Sequence, residues 1–499
     1  MSEPLFLAVD QGTTQVKAML VDAALNPVAE TRRPTAVSHP RPGWVEKDPA
    51  EVLGAVVDAV AELLDAAPRP VTAAGLDHEG ESVLAWRAST GEPLTPIIVW
   101  QDKRAEEVLE RLGAEGRGRA TEISGLPCDP YFSAGKVAWL LEKDEAVSHA
   151  LADGDLRIGT VDSFLSDRLG AGFSTDASTA SRTLLAAPGD PGWNRELLEL
   201  FSVPEGILPV VGDTVGELGE LSHPRWPQAL ALTARCVDQQ AALAGSGCVA
   251  PGPVKATYGT GVFVLAVTGS EPPQPGSGLL PTVAWRIGGR DTFALDGGVF
   301  SAGAMLEWLC GALSLAESPE ELGQMARETP DSGGVMVLPA LAGLGAPWWR
   351  PEARAVIAGL TGQSSRGEIA RAALEGIAWR VADIVEAIEA SQPVASLRVD
   401  GGLTREPLLA QLQADAIGRP VEQLEADSTA IGAAALAAVG ARALESVEAI
   451  GGLIKTGTPV RPLVADNERE AQRERRRRFV EGASALEAQG TATDPDAGR

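Results

Sequence analysis

An aspartate followed by a glycine–threonine turn near the start of the chain could hold phosphate groups and a metal ion. Asp10-Gln11-Gly12-Thr13-Thr14 joins two apolar runs, the second of which ends at Asp22. The turn offers backbone N–H groups and two hydroxyls to phosphate, and the carboxylate can hold Mg²⁺ directly or through water. A turn of this composition is more often purely structural. A second turn of the same kind, Gly259-Thr260-Gly261, favours the phosphate role, because two such tips could grip a triphosphate from both sides.

A third loop could also approach a nucleotide closely. Asp400-Gly401-Gly402 follows the apolar segment Leu397 to Val399. The sequence contains neither a Walker A motif nor a GxGxxG fingerprint, so it does not predict a P-loop or a Rossmann nucleotide site.

Asp238 lies where a general base for phosphoryl transfer could act. With Gln239 and Gln240, it follows the alternating stretch Leu232 to Val237 and precedes the helix-like run Ala241 to Ala244. A carboxylate at a strand end can accept the proton of an attacking hydroxyl group. By position alone, an N-cap of the helix is the more common role for such an aspartate, and the two roles are compatible.

Acidic and aromatic residues elsewhere could bind a hydroxylated ligand. His78-Glu79-Gly80-Glu81 follows a predicted strand, Thr72 to Leu76. Taken alone, both glutamates are expected to face water, since charged side chains are rarely buried without a partner. Trp100, Tyr131 and Phe263 are, by residue type alone, more typical of packing than of a pocket wall.

Two predicted β-hairpins position the glycine–threonine turns. Leu5 to Asp22 forms the first, and Val254 to Thr268 repeats its pattern. Asp48-Pro-Ala-Glu51 and Ser365-Arg-Gly-Glu368 resemble helix capping boxes, and each precedes apolar residues at spacings of three and four. Strands that alternate with such helices predict an α/β fold in two related halves.

The length of 499 residues also favours two domains, because single cores stop growing near ~250 residues. We predict an N-terminal domain at 1–247, a C-terminal domain at 248–484 and a disordered tail at 485–499.

Composition argues against several classes of partner and compartment. The formal net charge of −26 opposes binding to nucleic acid or to anionic membrane surfaces. The four cysteines and four histidines show no metal-ligand spacing and no disulfide framework. No signal peptide and no long apolar span is evident in the sequence, which predicts a cytoplasmic location.

The order and spacing of these motifs resemble the FGGY family of carbohydrate kinases, and within it the glycerol kinases, from Leu5 to about Gly440. The resemblance rests on AVDQGTTQVKAMLVD, IIVWQDKR, CDPYFSAGKVAWLL, CVDQQAAL, KATYGTGVFVL, ALDGGVFSAGAMLEWL and LRVDGG. It implies two actin-like, ribonuclease H-like ATPase domains flanking a catalytic cleft. It also implies ATP-dependent phosphorylation of a primary hydroxyl of a small polyol with the help of Mg²⁺, and it leaves a homodimer or a homotetramer open.

The resemblance assigns roles residue by residue. Asp238 corresponds to the catalytic base, and Asp10 and Asp238 to the carboxylates at the metal. The residues matching nucleotide-binding positions are Gly12, Thr13, Thr14, Lys17, Gly259, Thr260, Gly303 and Gly402. The residues matching polyol-binding positions are Glu81, Trp100, Tyr131, Asp238, Gln239 and Phe263.

Departures from the glycerol kinase pattern leave the substrate open. Gly80 stands where glycerol kinases carry an arginine, so a donor is missing and space is gained. Lys17, Glu307 and Glu406 replace an arginine, a glutamine and an asparagine, which bears on nucleotide contacts. The candidates are therefore glycerol and a longer tetritol, pentitol or ketopentose. From other classes, an ATP-driven chaperone or filament protein is opposed by the Asp238-Gln239 pair, and a silent regulator by the presence of both aspartates.

Overall fold

The computed structural model describes residues 3–274 and 276–490. The strands are β1 Leu5–Gln11, β2 Gln15–Asp22, β3 Pro27–Pro34, β4 Glu46–Lys47, β5 Ala73–His78, β6 Val83–Arg87, β7 Ile97–Ile98, β8 Leu156–Thr160, β9 Ser174–Asp176, β10 Val210–Gly212, β11 Glu220–Leu221, β12 Leu230–Val237, β13 Pro253–Tyr258, β14 Val262–Gly269, β15 Leu280–Ile287, β16 Arg290–Val299, β17 Met336–Leu338, β18 Val356–Ala358, β19 Ser396–Asp400 and β20 Val421–Gln423.

The α-helices are α1 Pro49–Ala66, α2 Glu106–Arg111, α3 Gly113–Ser124, α4 Ser133–Lys143, α5 Glu145–Ala152, α6 Val161–Arg168, α7 Ala177–Ala180, α8 Arg195–Phe201, α9 Asp238–Gly245, α10 Gly303–Gly311, α11 Pro319–Glu328, α12 Arg366–Glu389, α13 Pro407–Ile417, α14 Ser428–Gly440, α15 Val447–Gly451 and α16 Asp466–Gly490. Short 3-10 helices lie at Glu205–Ile207 and Gly402–Arg405. Residues 485–490, where the sequence predicts a tail, belong to α16, and 491–499 lie outside the described residues.

The two halves of the chain repeat one sheet topology. In the first sheet the order is β11-β12-β5-β1-β2-β3, with β1, β2 and β3 antiparallel and β1, β5 and β12 parallel. In the second the order is β15-β16-β14-β13-β19-β20, with β13, β14 and β16 antiparallel and β13, β19 and β20 parallel. Both predicted hairpins are therefore confirmed, as β1–β2 and β13–β14.

Capping explains where two long helices begin. The Asp48 side chain accepts a hydrogen bond from the Ala50 backbone N–H at the start of α1. Glu51 does not complete the predicted box, because its carboxylate accepts the backbone N–H of Ala36 instead. At α12 the capping box between Ser365 and Glu368 is present in full.

Helices α9 and α14 lie between the two sheets and cross in close contact. Their apolar residues share one core with Phe6 of the first sheet and Leu265 of the second. At the crossing, an added Cβ on Gly432 would lie 1.8 Å from the Ala241 carbonyl oxygen. The glycine is required because a side chain there would meet backbone of the other helix.

Two further features of the described residues concern disulfide bonds and membrane spans. All four cysteines are free of disulfide bonds. None of the described helices is long and apolar enough to cross a membrane.

Candidate active site

Three carboxylates meet where parallel strands of the first sheet end. Asp10 on β1 pairs in register with Asp77 on β5, and Asp77 pairs with Cys236 on β12, two residues before Asp238. Asp77 is fully buried, and its carboxyl group lies within hydrogen-bonding reach of that of Asp10. Sequence reasoning missed this residue. The internal repeat could have found it, because Asp400 ends the equivalent strand β19 of the second half.

Burial and mutual repulsion raise the pKa values of these carboxyls. Burial, and then the charge of Asp427, raises the pKa of Asp10 to about 6. Burial and the charge of Asp10 raise the pKa of Asp238 to about 7, against the opposing charge of Lys255. The pKa of Asp77 lies well above its usual range for the same reasons. A cation bound here would be favoured, since it would relieve the repulsion.

All six predicted polyol-binding residues line one cavity of about 170 Å³. Its walls are formed by Thr13, Glu79, Gly80, Glu81, Trp100, Tyr131, Arg182, Val237, Asp238, Gln239, Gln240, Phe263 and Asp296. The Trp100 ring meets that of Tyr131 edge to face at 5.4 Å between centroids, and its Nε1 donates to Thr13 Oγ1 at 3.2 Å. The aromatic residues are therefore walls of the cavity rather than core packing alone.

The expectation that both glutamates face water is wrong. Glu79 is 2% exposed and pairs with the fully buried Nζ of Lys47 at 3.0 Å. Glu81 is 4% exposed and accepts a hydrogen bond from Arg182 Nε at 2.7 Å. Burial is possible because each carboxylate has a cation from a distant part of the chain. The Glu81 backbone also has φ of 61°, a strained value that is common at functional sites.

The start of α9 places Asp238 beside Gln239, whose side chain is bound by a lysine that the sequence analysis did not single out. Val237, not Asp238, occupies the N-cap of α9, so the N-cap reading of Asp238 is wrong. Lys255 is completely buried on β13, and its Nζ donates to Gln239 Oε1 at 2.7 Å. Because that oxygen is taken, the Gln239 amide presents its NH₂ donors to a ligand.

The predicted nucleotide-binding residues fall into two groups, one around each glycine–threonine turn. Residues at the start of α14 contact the surroundings of both turns. In the first turn the Gly12 N–H donates to Gln15 O at 3.0 Å, and Lys17 forms an ion pair with Asp427. Thr14 lies in the same turn. Next to Asp427, Ser428 donates to Asp400, which also accepts from Thr257 at the end of β13.

The second group surrounds the other turn. The Gly303 N–H donates to Gly259 O at 3.1 Å, and the Thr260 carbonyl accepts from Ala302. Gly402 follows Gly401, where an added Cβ would lie 2.2 Å from the Tyr258 carbonyl oxygen. The small residues thus let three loops approach one another closely.

The departures from the family pattern have different surroundings. Glu307 is exposed on α10, whereas Glu406 caps α13 by accepting from the Leu408 N–H and pairs with Arg327. Gly80 faces the cavity, and an added Cβ there would lie 3.0 Å from Val237 Cγ1.

Two family models match the chain in succession. The N-terminal domain model of the FGGY family of carbohydrate kinases matches residues 5–243, and the C-terminal domain model matches residues 254–441. The chain belongs to the FGGY family of carbohydrate kinases. The family assignment made from the sequence motifs is confirmed.

Similar proteins agree with this membership. A glycerol kinase from Citrifermentans bemidjiense is 41% identical over 483 residues, which cover 95% of this FGGY kinase and 95% of the relative. A glycerol kinase from Alkalilimnicola ehrlichii is 42% identical over 441 residues, covering 87% and 89%.

Solved structures confirm the predicted two-domain α/β fold of actin-like sugar kinases. A crystal structure of Plasmodium falciparum glycerol kinase with ADP matches with a TM-score of 0.90 at 29% identity, covering 96% of this chain and 98% of that one. A xylulose kinase from Brucella ovis matches with a TM-score of 0.88 at 26% identity, covering 97% and 100%.

Proposed function

We propose that this FGGY kinase transfers the γ-phosphoryl group of ATP to a primary hydroxyl of a small polyol, with glycerol as the first candidate. The observation that carries the proposal is the shared cavity. Asp238, Glu81 and Gln239 bring hydroxyl-binding groups to it, and aromatic side chains supply its other walls. The two glycerol kinases similar to this chain support glycerol as the acceptor.

In this mechanism Asp238 accepts the proton of the attacking hydroxyl. A base works best when its pKa lies near the working pH, and the pKa of about 7 fits that requirement. Gln239 and Glu81 hold other hydroxyls, so that the reacting oxygen points at the phosphorus. Positioning of this kind can supply several kcal/mol of the barrier reduction, on the order of 7 to 11 at best.

The phosphates would lie between the two glycine–threonine turns. Thr13 and Thr14 offer N–H and hydroxyl donors from one side, and Thr260 does so from the other. Gly12 and Gly259, whose N–H groups bond within their own turns, let the phosphates approach the backbone closely. Lys17 reaches the same region from β2, where it pairs with Asp427. Gly303 and Gly402 leave room beside the nucleotide.

Asp10 and Asp238 would hold Mg²⁺, and the crowding that raises the pKa values of Asp10, Asp77 and Asp238 fits a cation close by. That arrangement suits Mg²⁺, which proteins usually bind through one or two carboxylates together with substrate phosphates. When bound, the ion neutralises charge on the phosphates.

A longer polyol or a ketopentose is the second candidate, and Gly80 favours it. Without an arginine at this position, the cavity keeps space and loses a donor for a terminal hydroxyl. The proposal also includes a domain division between residues 247 and 248, with the catalytic base and most of the acceptor site in the first domain, and with nucleotide-binding residues contributed by both domains. Closure of the domains would exclude water.

The test is ADP release with MgATP and a panel of glycerol, erythritol, both threitols, ribitol, xylitol and ketopentoses. We expect turnover of at least one of these acceptors and loss of about 10²-fold or more in Asp238→Asn, the range for removing a general base. The variant replaces an acceptor by an amide of equal size, so folding should persist. Full turnover in Asp238→Asn, or no acceptor among the panel, would contradict the proposal.

A further inference from the structure

Arg182 and Asp296 form a polar wall of the acceptor cavity, at the end where Glu81 lies. Arg182 Nε donates to Glu81 Oε1 at 2.7 Å, and its Nη1 lies 2.8 Å from Asp296 Oδ2. Both side chains of the Arg182–Asp296 pair are about 5% exposed, and the guanidinium also lies 5.6 Å from the Phe132 ring centroid. Asp296 comes from β16, so the second half of the chain completes the wall. The polyol-binding positions assigned by family resemblance include neither residue.

Two acceptors in this wall have no partner among the described residues. Asp296 Oδ1 and Gln240 Oε1 are buried and accept no hydrogen bond. The Gln240 amide nitrogen is used, since it donates to Thr282 Oγ1 at 3.1 Å, so the oxygen is the free end. Buried polar atoms are nearly always hydrogen-bonded, and both side chains line the cavity. A ligand that donates hydrogen bonds would satisfy both atoms.

The charges of this wall favour an uncharged ligand that donates hydrogen bonds. Arg182 is shared between two carboxylates, Glu81 and Asp296, so this group of three side chains carries net negative charge. Hydroxyl groups could donate to Asp296 and Gln240, whereas a sugar acid or a phosphorylated sugar would find the only cation of this wall already engaged by two carboxylates.

The space beyond the wall permits an acceptor longer than glycerol. Tyr131, Arg182, Phe263 and Asp296 also line a neighbouring cavity of about 600 Å³. Gly80 places no side chain in the smaller cavity. The acceptor cavity therefore adjoins a larger space at the wall formed by Arg182 and Asp296.

We propose that Arg182, Asp296 and Gln240 form a second hydroxyl-binding subsite, which reads the hydroxyls beyond the third carbon of a neutral polyol of four or five carbons. The inference rests on the proposed kinase function and selects among its candidate acceptors. Glu81, Gln239 and Asp238 bind the hydroxyls nearest the phosphorus, and the second subsite binds the remainder.

Pairs of acceptors that differ by one hydroxyl test the subsite in the unaltered enzyme. Erythritol and butane-1,2,3-triol have the same carbon chain, but the triol lacks the terminal hydroxyl. We expect kcat/KM for the best four- or five-carbon polyol to exceed that for glycerol by at least about tenfold, and erythritol to exceed the triol by a similar factor. Gluconate should not be phosphorylated. Equal values for erythritol and the triol, or a preference for gluconate, would overturn the inference.

Asp296→Asn tests the wall itself, with Asp291→Asn as a matched control. Asp291 lies on the same strand and also pairs with an arginine, Arg286 at 2.6 Å, but it does not line the cavity. We expect the ratio of kcat/KM for the longer polyol to that for glycerol to fall about tenfold or more in Asp296→Asn and to stay unchanged in Asp291→Asn.

The outcomes separate the two levels of the proposal. If glycerol is the best acceptor and Asp296→Asn lowers all acceptors equally, the subsite is refuted while the kinase function stands. If no polyol is phosphorylated by the unaltered enzyme, the proposed function itself fails. Should Asp296→Asn not fold, the comparison of erythritol with its deoxy analogue still decides the question.

Discussion

Replacing Gly432 by alanine tests the crossing of α9 and α14, on which the position of Asp238 depends. The new Cβ would lie 1.8 Å from the Ala241 carbonyl oxygen, about 1.7 Å short of an ordinary ~3.5 Å contact. The obstacle is helix backbone, which cannot rotate away, so the two helices must separate. Overpacking of this kind costs about 1–3 kcal/mol, and alanine returns about 0.5–1 kcal/mol through its higher helix propensity.

We therefore expect Gly432→Ala to lower the free energy of unfolding by about 1 kcal/mol. Gly54→Ala is the matched control, because Gly54 lies inside α1 and an added Cβ there would meet nothing within 4 Å. That variant should gain about 0.5–1 kcal/mol from helix propensity alone. Urea unfolding of both variants and the parent enzyme measures the difference.

We expect Gly432→Ala to lower the activity as well as the stability, and Gly54→Ala to lower neither. Asp238 is the first residue of α9, so a displaced α9 moves the carboxylate. A misplacement of about 1 Å can lower kcat by roughly 10²-fold, whereas Gly54→Ala should leave kcat unchanged. The reasoning is refuted if Gly432→Ala is as stable and as active as Gly54→Ala.

Two further predictions concern the base. Because Asp238 must be deprotonated to act and its pKa is raised to about 7 in the absence of Mg²⁺, kcat/KM for MgATP, which reports the groups of the unliganded enzyme, should fall about tenfold per pH unit below that value and level off above it. A flat profile between pH 5 and 8 would exclude Asp238 as the base. Lys255→Met removes the hydrogen bond that orients Gln239 and a charge that lowers the pKa of Asp238. The KM for the acceptor should rise about tenfold or more, and the pH profile should move to higher pH; an unmoved profile with an unchanged KM would show that Lys255 has no positioning role.

Local patterns in the sequence predicted the elements that carry the site. Alternating apolar runs around Gly12 and Thr260 predicted both hairpins, and the box at Ser365 predicted the start of α12. The box at Asp48 failed in part, because Glu51 bonds to Ala36, which lies in another segment. Propensity describes contacts within one element and cannot include such a competitor.

The site was predicted only where family motifs supplied long-range information. From local sequence alone, Glu79 and Glu81 are surface residues, since their cations Lys47 and Arg182 lie far away in the chain. Lys255 was missed for the same reason: its partner Gln239 belongs to another half of the fold. Burial of these two glutamates depends on their cationic partners, and one member of such a pair gives no signal by itself.

The carboxyl groups of Asp10, Asp77 and Asp238 at the strand ends serve catalysis but lower the stability of the fold near neutral pH. The raised pKa values of Asp77 and Asp238 mean that the folded state binds protons more tightly than the unfolded chain. Stability from these groups is therefore present at acidic pH and is lost as pH rises through the interval from the unfolded value of 3.8 toward the folded values. At the pH where Asp238 acts as a base, repulsion between these carboxylates destabilises the enzyme when MgATP is not bound. Selection for heat resistance alone would accordingly enrich neutral replacements at these strand ends and discard catalysis, unless MgATP is present during the selection.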